Sequence, residues 1–382
     1  MRIGTFVLAG QYPGQPESEA LRRAVRSAEV AEETGLDAVW LAEHHFVPYG
    51  LCPSAVTLAA LLLGRTRRIG VGTAISVLST THPVALGEQG VLLHLLTGGR
   101  FTLGVGRGGP WVDLEVFGAG AAAYERGFPE SLDLLLRWLR ESEVGADGER
   151  YRFRQVPVVP SAGGAGPPVV VACTSPATVR LAAARGLPML LGMHIGDEEK
   201  AAMVALWRTA AREAGVDGDT VASAEHVSAG VVQVGDSHTE AVETLRRALP
   251  GWLRQGLAAH RTLDGSPRRM RDPLAYTELL CELHPVGTPQ LCADRLAATA
   301  ERTGITRFAL VVEGSGGVEP TEHNVRRLAA EVVPLLPIPA GGAAAPGPPA
   351  VSAAPEVAPD AAPEVAPDVA PAFSNHAARA TG

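Results

Sequence analysis

Residues 69–105 read IGVGTAISVLSTTHPVALGEQGVLLHLLTGGRFTLGV. An apolar run, Ile69–Val77, gives way to a helical pattern over Pro83–Leu96, and a second apolar run, Phe101–Val105, follows. This is one strand–helix–strand unit. Its strands are continuously apolar rather than alternating, as expected when both faces of a sheet are covered. The same succession continues on either side. Further strands are expected at Arg2–Leu8, Ala38–Leu41, Pro168–Cys173, Met189–Gly192, Val227–Val234 and Arg307–Glu313. Helices are expected at Glu17–Thr34, Ser54–Gly64, Phe128–Glu143, Pro176–Arg185, Asp197–Gly215, Thr239–Gln255, Thr288–Thr303 and Glu319–Leu336. Gly35, Gly186 and Gly304 stand where helices stop; Asp197 and Thr239 stand where first-turn acids and caps belong.

Eight strands, each followed by a helix, indicate an α/β fold, a (β/α)8 TIM barrel over residues 1–338. The rival is an open, doubly wound sheet. The first turn, Ala9-Gly10-Gln11-Tyr12-Pro13-Gly14, is no dinucleotide fingerprint. Two stretches exceed ordinary connections, Gly145–Gly166 and Leu257–Pro285, and read as long β–α loop insertions. The second, with Arg261, Arg268, Arg269 and Arg271, is either a lid or a solvated excursion. From residue 339 to 382 Ala, Pro and Gly dominate, and Ala-Pro-Glu-Val-Ala-Pro-Asp recurs at 354–360 and 362–368. Such a segment buries too little apolar surface to offset its ordering entropy, so a disordered C-terminal tail is expected.

Of the 382 residues, 46% are hydrophobic, enough for a large core. The net charge is −8 and the pI about 5.8, with no basic stripe, so nucleic acid is not an expected partner. No run of 18 apolar residues is present, and the first residues lack a signal-peptide pattern; a cytoplasmic protein that does not meet the membrane is expected. Four cysteines without CxxC spacing indicate neither a disulfide framework nor a metal site. Lys200 is the single lysine, in Asp197-Glu198-Glu199-Lys200, and reads as the exposed first turn of a helix. On that reading, P-loop and Schiff-base chemistry are excluded.

Barrel sites lie at strand C-terminal ends. After the second strand comes Glu43-His44-His45-Phe46. A histidine beside a carboxylate suits proton transfer; the alternative is a pair of capped or core histidines. At most one of two adjacent histidines is expected to face the axis. After the fourth strand comes Gly104-Val105-Gly106-Arg107-Gly108-Gly109, where glycine admits a close ligand and Arg107 offers a fork for phosphate. Arg126 offers a second positive charge, or is an exposed surface arginine. After the fifth strand comes Cys173-Thr174-Ser175-Pro176-Ala177-Thr178, a helix start that serves as cap, anion site or both. Glu313, after the eighth, is functional or orients the glycine turn 314–317.

These residues resemble the luciferase-like flavin monooxygenase family, and within it the α-chain type of bacterial luciferase. The resemblance covers roughly residues 1–337. It rests on Val39-Trp-Leu-Ala-Glu-His-His-Phe46, Val71-Gly-Thr-Ala74, Thr81-His-Pro-Val84, Val116-Phe-Gly118, Gly186-Leu-Pro-Met189 and His284-Pro-Val-Gly-Thr-Pro289 in one order. It implies a barrel that takes FMN in reduced form from a separate flavin reductase. Oxygen then adds at the flavin C4a carbon, and the peroxide oxidises a small-molecule substrate. By resemblance His44 supports that intermediate, with His45 beside it. Ala74-Ile75 matches a cis-type peptide next to the flavin, and Asp113 an acid near it. Arg107, Arg126, Ser175 and Thr178 match the phosphate grip. No metal is implied.

Helix 83–96 resembles one that packs across the dimer in that family, which makes His82 and Glu88 interface residues. With Val84, Leu86, Val91, Leu92 and Leu95 it is too apolar to cover the barrel alone, so a homodimer through 83–96 and 54–64 is the expected assembly. There are departures near the flavin. Gly106 stands in place of a reactive cysteine, Thr174 in place of a glutamate, and Met193-His194 in place of an aromatic residue. They imply a roomier pocket and a larger substrate, a natural-product intermediate undergoing epoxidation, hydroxylation or Baeyer–Villiger-type insertion. The alternatives are a long-chain aldehyde luciferase, an F420-dependent oxidoreductase and a non-catalytic flavin-binding protein.

Overall fold

In the computed structural model, which describes residues 1–266 and 271–337, eight parallel strands form one ring. They are β1 (Arg2–Val7), β2 (Ala38–Leu41), β3 (Gly70–Thr73), β4 (Phe101–Gly106), β5 (Val169–Cys173), β6 (Met189–Leu191), β7 (Val227–Val231) and β8 (Arg307–Val311). Each pairs with the next. The register Arg2↔Arg307 to Phe6↔Val311 then joins β8 back to β1. This closure separates a barrel from an open sheet. The tail at 339–382, Arg268 and Arg269 lie outside the described residues.

Successive residues of each strand serve two packed clusters, as the two-residue period of a strand requires. Ile3, Val7, Val39, Leu41, Val169 and Val171 pack with helix residues such as Ala24, Ala28 and Leu62. Phe6, Leu8, Trp40, Val170, Ala229 and Val311 belong to the second cluster. Both faces are therefore apolar, and each fully buried aliphatic side chain contributes roughly 1.5–3 kcal/mol.

The connecting helices are α1 (Glu17–Glu33), α2 (Ala55–Arg65), α3 (Pro83–Thr97), α4 (Phe128–Arg140), α5 (Pro176–Ala183) and α6 (Asp197–Glu213). They are followed by α7 (His238–Ala258), α8 (Pro273–Leu283), α9 (Pro289–Thr303) and α10 (Val318–Arg327). No helix among the described residues is long and apolar enough to cross a membrane.

Several expectations are corrected. Gly145–Gly166 is no plain loop: Glu143–Asp147 and Arg152–Pro157 form an antiparallel hairpin. Its Val144 joins Leu134, Trp138 and Tyr151 in a small core. Leu257–Pro285 contains α8, which Asp272 caps by accepting from Ala275 N at 2.9 Å. The run 227–234 splits, because Gln233 and Val234 leave the barrel to pair with Val286 and Gly287. The run 69–77 splits at a cis Ala74–Ile75 peptide, beyond which Ser76–Val77 rejoins β4. Ser237, not Thr239, caps α7. Lys200 is 2% exposed rather than on the surface. It lies on the first turn of α6, where Nζ donates to Ser228 Oγ at 2.9 Å and to the Ala229 carbonyl at 3.1 Å. Burial lowers its pKa to about 8. A buried lysine thus exists, but it is tied to β7 and does not line the cavity described below.

Candidate active site

The C-terminal strand ends surround a cavity of about 640 Å³. Glu43, His44 and His45 at the end of β2 all line it. Both histidines reach the cavity, against the expectation of one. They do so by parting to two sides, with Phe46 at φ 61° turning the chain after them. His44 packs edge-on against Tyr49, with ring centroids 5.0 Å apart, and lies 6.3 Å from His260. Gly50 makes room for it: a Cβ there would stand 2.7 Å from His44 Cδ2. His45 packs on Phe117 at 4.9 Å, and its Nε2 is 3.6 Å from Glu43 Oε1. Glu43 therefore faces His45. Its carboxylate also accepts from Ala55 N and Val77 N, both at 3.1 Å, which ties α2 and the Ser76–Val77 segment to the site. Asp113 lines the cavity too, and burial raises its pKa above the usual carboxylate range while His45 opposes the shift.

Ala74 and Ile75 form part of the wall. Gly106 does not widen the cavity as expected. Ile75 takes the space, its Cδ1 lying 2.3 Å from where a Gly106 Cβ would be. Thr174 lines the cavity, whereas Arg107, Arg126, Ser175 and Thr178 lie outside its lining. Arg107 rests on the Tyr124 ring, 4.2 Å from its centroid, and donates to the Tyr124 hydroxyl at 3.2 Å. Arg126 forms an exposed ion pair with Glu149 at 3.0 Å. Ser175 Oγ accepts from Thr178 N at 3.3 Å and caps α5, with Pro176 at the first helical position. The register Val105↔Val171 sets the β4 and β5 ends, and so Arg107 and this cap, side by side.

Glu313 orients structure. Its carboxylate accepts from Leu8 N at 2.8 Å and pairs with Arg23 at 3.3 Å, both side chains buried. His284, in the His-Pro-Val-Gly-Thr-Pro segment, donates from Nε2 to the Met193 carbonyl at 2.8 Å. Burial lowers its pKa to about 3, so the imidazole is neutral at physiological pH. Tyr49, Trp111, His260 and Tyr276 line the cavity without having been singled out from sequence. The segment carrying His260 is pinned across the site, with Val112 N donating to Arg261 O at 2.9 Å and Leu263 N to Pro110 O at 2.9 Å. Arg261 and Arg271 line the cavity. Among the described residues no group of three or more His, Cys, Asp or Glu is arranged to hold a metal ion.

A family model described as luciferase-like monooxygenase matches residues 1–307. The alkanal monooxygenase alpha chain of Photorhabdus laumondii is 33% identical over 357 residues, spanning 88% of this chain and 98% of that protein. The 4-hydroxyprotoasukamycin monooxygenase of Streptomyces nodosus is 30% identical over 315 residues, spanning 79% and 83%. Monooxygenase RslO1 from Streptomyces bottropensis superposes with a TM-score of 0.76 over 87% of this chain and 99% of that one. At 23% identity that likeness speaks for the barrel alone. The chain belongs to the luciferase-like monooxygenase family and is an oxidoreductase.

Proposed function

We propose that the chain is a monooxygenase that uses reduced FMN, delivered by a separate flavin reductase, and O2 to oxygenate an organic substrate such as a natural-product intermediate. The observation that carries this reading is the cavity at the strand ends, where Glu43, His44, His45 and Asp113 converge on a wall formed by Ala74 and Ile75, in a member of this family. The donor set fits a flavin phosphate. Among the described residues no carboxylate lies within ion-pair distance of Arg107. Arg107 follows the β4 end, which lies beside the β5 end that leads into Ser175, Thr178 and the α5 N-terminus, where N–H groups and the helix dipole favour an anion. Arg126 joins the grip on releasing Glu149, and Gly106 and Thr174 shape the approach to the ring. When bound, reduced FMN supplies the electrons that activate oxygen. His44 holds or moves a proton at an imidazole nitrogen, and the aromatic shelf of Tyr49, Trp111 and His260 excludes water.

The test is anaerobic titration of the purified chain with photoreduced FMN, followed by admission of oxygen. One reduced FMN per chain and oxygen uptake are expected. No binding of reduced FMN, or anaerobic hydride transfer from reduced F420, refutes the reading. An alkanal, the substrate class in the names of the Photorhabdus relatives, is distinguished by photon output, tested with a long-chain aldehyde.

The homodimer is proposed on α2 and α3, where Leu61, Leu92, Leu95 and Leu96 are exposed. Apolar side chains grouped on two adjacent helices mark an association surface. Sedimentation equilibrium at micromolar concentration is expected to give a dimer; a monomer refutes this part.

A further inference from the structure

We propose that a second, smaller pocket behind the substrate cavity is a water site anchored by Ser76, through which His45 exchanges protons with the surface between α2 and α3. The use of this route rests on the larger cavity being the reaction site; the route itself does not.

Glu43 and His45 line both cavities, so this pair stands in the wall between them. The smaller pocket lies between Ser54 at the start of α2 and Gln89 on α3, and Gln89, itself exposed, brings it to the surface. The exposed leucines assigned to the homodimer, Leu61, Leu92, Leu95 and Leu96, lie further along both helices.

Ser76 supplies the anchor. Successive strand residues face opposite sides, and Ser76 and Val77 divide accordingly: Val77 lines the substrate cavity and Ser76 the smaller pocket. Ser76 is 1% exposed, and its hydroxyl has no hydrogen-bond partner among the described residues. A buried hydroxyl is rarely left so, because it forfeits the bonds it makes in water. This one borders a polar pocket of about 200 Å³, far above the roughly 15 Å³ that one water needs. A water held there also needs polar partners besides Ser76, and the lining provides them. Thr80 Oγ1 donates to the Val77 carbonyl at 3.2 Å and keeps its lone pairs for a water. His45 Nε2 stands 3.6 Å from Glu43 Oε1, too far for a direct hydrogen bond and a separation that a water bridges.

A proton path follows from this placement. Imidazole gives and takes protons near neutral pH, one at each ring nitrogen. A proton that His45 gives up toward the substrate cavity is replaced at Nε2 from the adjoining water, which takes one in turn from the next water outward. Each member passes on one proton for each it receives, so no net charge stays in the wall. The path is separate from the larger cavity that flavin and substrate fill.

The experiment is hydrogen–deuterium exchange at the imidazole Cε1 of each histidine in the full chain without flavin, on the alkaline plateau of the rate. Mass spectrometry with fragmentation separates His45 from His44, which lines the larger cavity alone. Ser76→Val places methyl groups in the pocket and removes the anchor. It should slow exchange at His45 by about five- to tenfold, the factor one lost hydrogen bond is worth, and leave His44 unchanged. Thr80→Val, which keeps the side-chain shape, should act in the same direction. A high-resolution crystal structure of the wild type should show a water within hydrogen-bond distance of Ser76 Oγ. Unchanged exchange at His45 in both variants, equal slowing of His44 and His45, or a dry Ser76 hydroxyl overturns the proposal. Neither flavin nor oxygen is used, so failure here is separate from failure of the anaerobic FMN titration.

Discussion

Replacing Glu313 by glutamine removes one charge and almost no volume from the most enclosed ion pair in the barrel. Arg23 and Glu313 are 0% and 2% exposed, and Nε–Oε2 is 3.3 Å. The carboxylate also accepts from Leu8 N at 2.8 Å, and the guanidinium donates to Gln15 Oε1 at 3.0 Å and to the Gly10 and Gly316 carbonyls. The glutamine oxygen can keep the Leu8 bond, but Arg23 is left as a buried charge with dipoles alone around it. Breaking such a pair costs about 3–5 kcal/mol.

The same neighbourhood supplies a control. Arg26 and Glu322 pair at 2.9 Å across α1 and α10, with both side chains about a third exposed, 33% and 27%. Glu322→Gln should cost about 1 kcal/mol or less. Urea unfolding followed by far-UV circular dichroism measures both. In the double variant Arg23→Met/Glu313→Gln the cost should fall at least about 1 kcal/mol short of the sum of the singles, because the stranded charge is gone. If Glu313→Gln and Glu322→Gln destabilise equally, burial is not what makes the first pair matter, and the reasoning is wrong.

Other consequences are as direct. His44→Ala should bind reduced FMN yet lose product formation by roughly 100- to 10,000-fold, releasing hydrogen peroxide instead. Gly50→Ala should do the same in milder form and also lower stability, since its methyl would stand 2.7 Å from His44 Cδ2 and 2.7 Å from the Leu8 carbonyl oxygen; Gly218→Ala, with open space around it, serves as the neutral control, and wild-type coupling in Gly50→Ala would show that His44 tolerates displacement. Arg107→Ala should weaken reduced FMN by about 1.5–3 kcal/mol, and unchanged affinity in anaerobic titration would remove Arg107 from the phosphate grip. His226 and His284, lowered by burial to about 4 and about 3, stay neutral in the folded chain while an unfolded histidine takes up a proton below about 6.5. Stability should therefore fall as pH drops from about 6.5 toward 4. Urea midpoints at pH 7 and pH 5 measure the loss, and His284→Gln should flatten it.

The barrel was legible because its strands are buried on both faces, so each appears as an unbroken apolar run whatever its neighbours. Short polar punctuation carried less. Asp147-Gly148 is a turn signal that marks the 143–157 hairpin, and Asp272-Pro273 is a cap followed by first-turn proline, yet each sits in a stretch whose length alone suggested a loop. The site divides along a similar line. Residues attached to strand ends, such as His44 and Thr174, can be located once the strands are. Tyr49, Trp111, His260 and Tyr276 reach the cavity from connecting segments, and nothing periodic in the chain announces where those segments fold back. Glu43 shows a further limit. Adjacency offered it to His44, but the backbone turn at Phe46 and the two N–H groups it accepts set it against His45.

Lys200 is the one lysine in 382 residues, and it is enclosed beneath α6 with its amine bonded to Ser228 and Ala229. Reagents that seek side-chain amines, among them acylating dyes, lysine cross-linkers and aldehyde fixatives, accordingly find no lysine target on the folded chain. Any that reach Nζ report that α6 has lifted from β7. The pKa near 8 belongs to the buried amine; uncovering it removes the desolvation that lowers it and returns it toward the ordinary lysine value, so labelling is read best at alkaline pH. Modification at this residue is thus a built-in gauge of local opening, read by mass spectrometry at a single site and against a silent background of surface arginines.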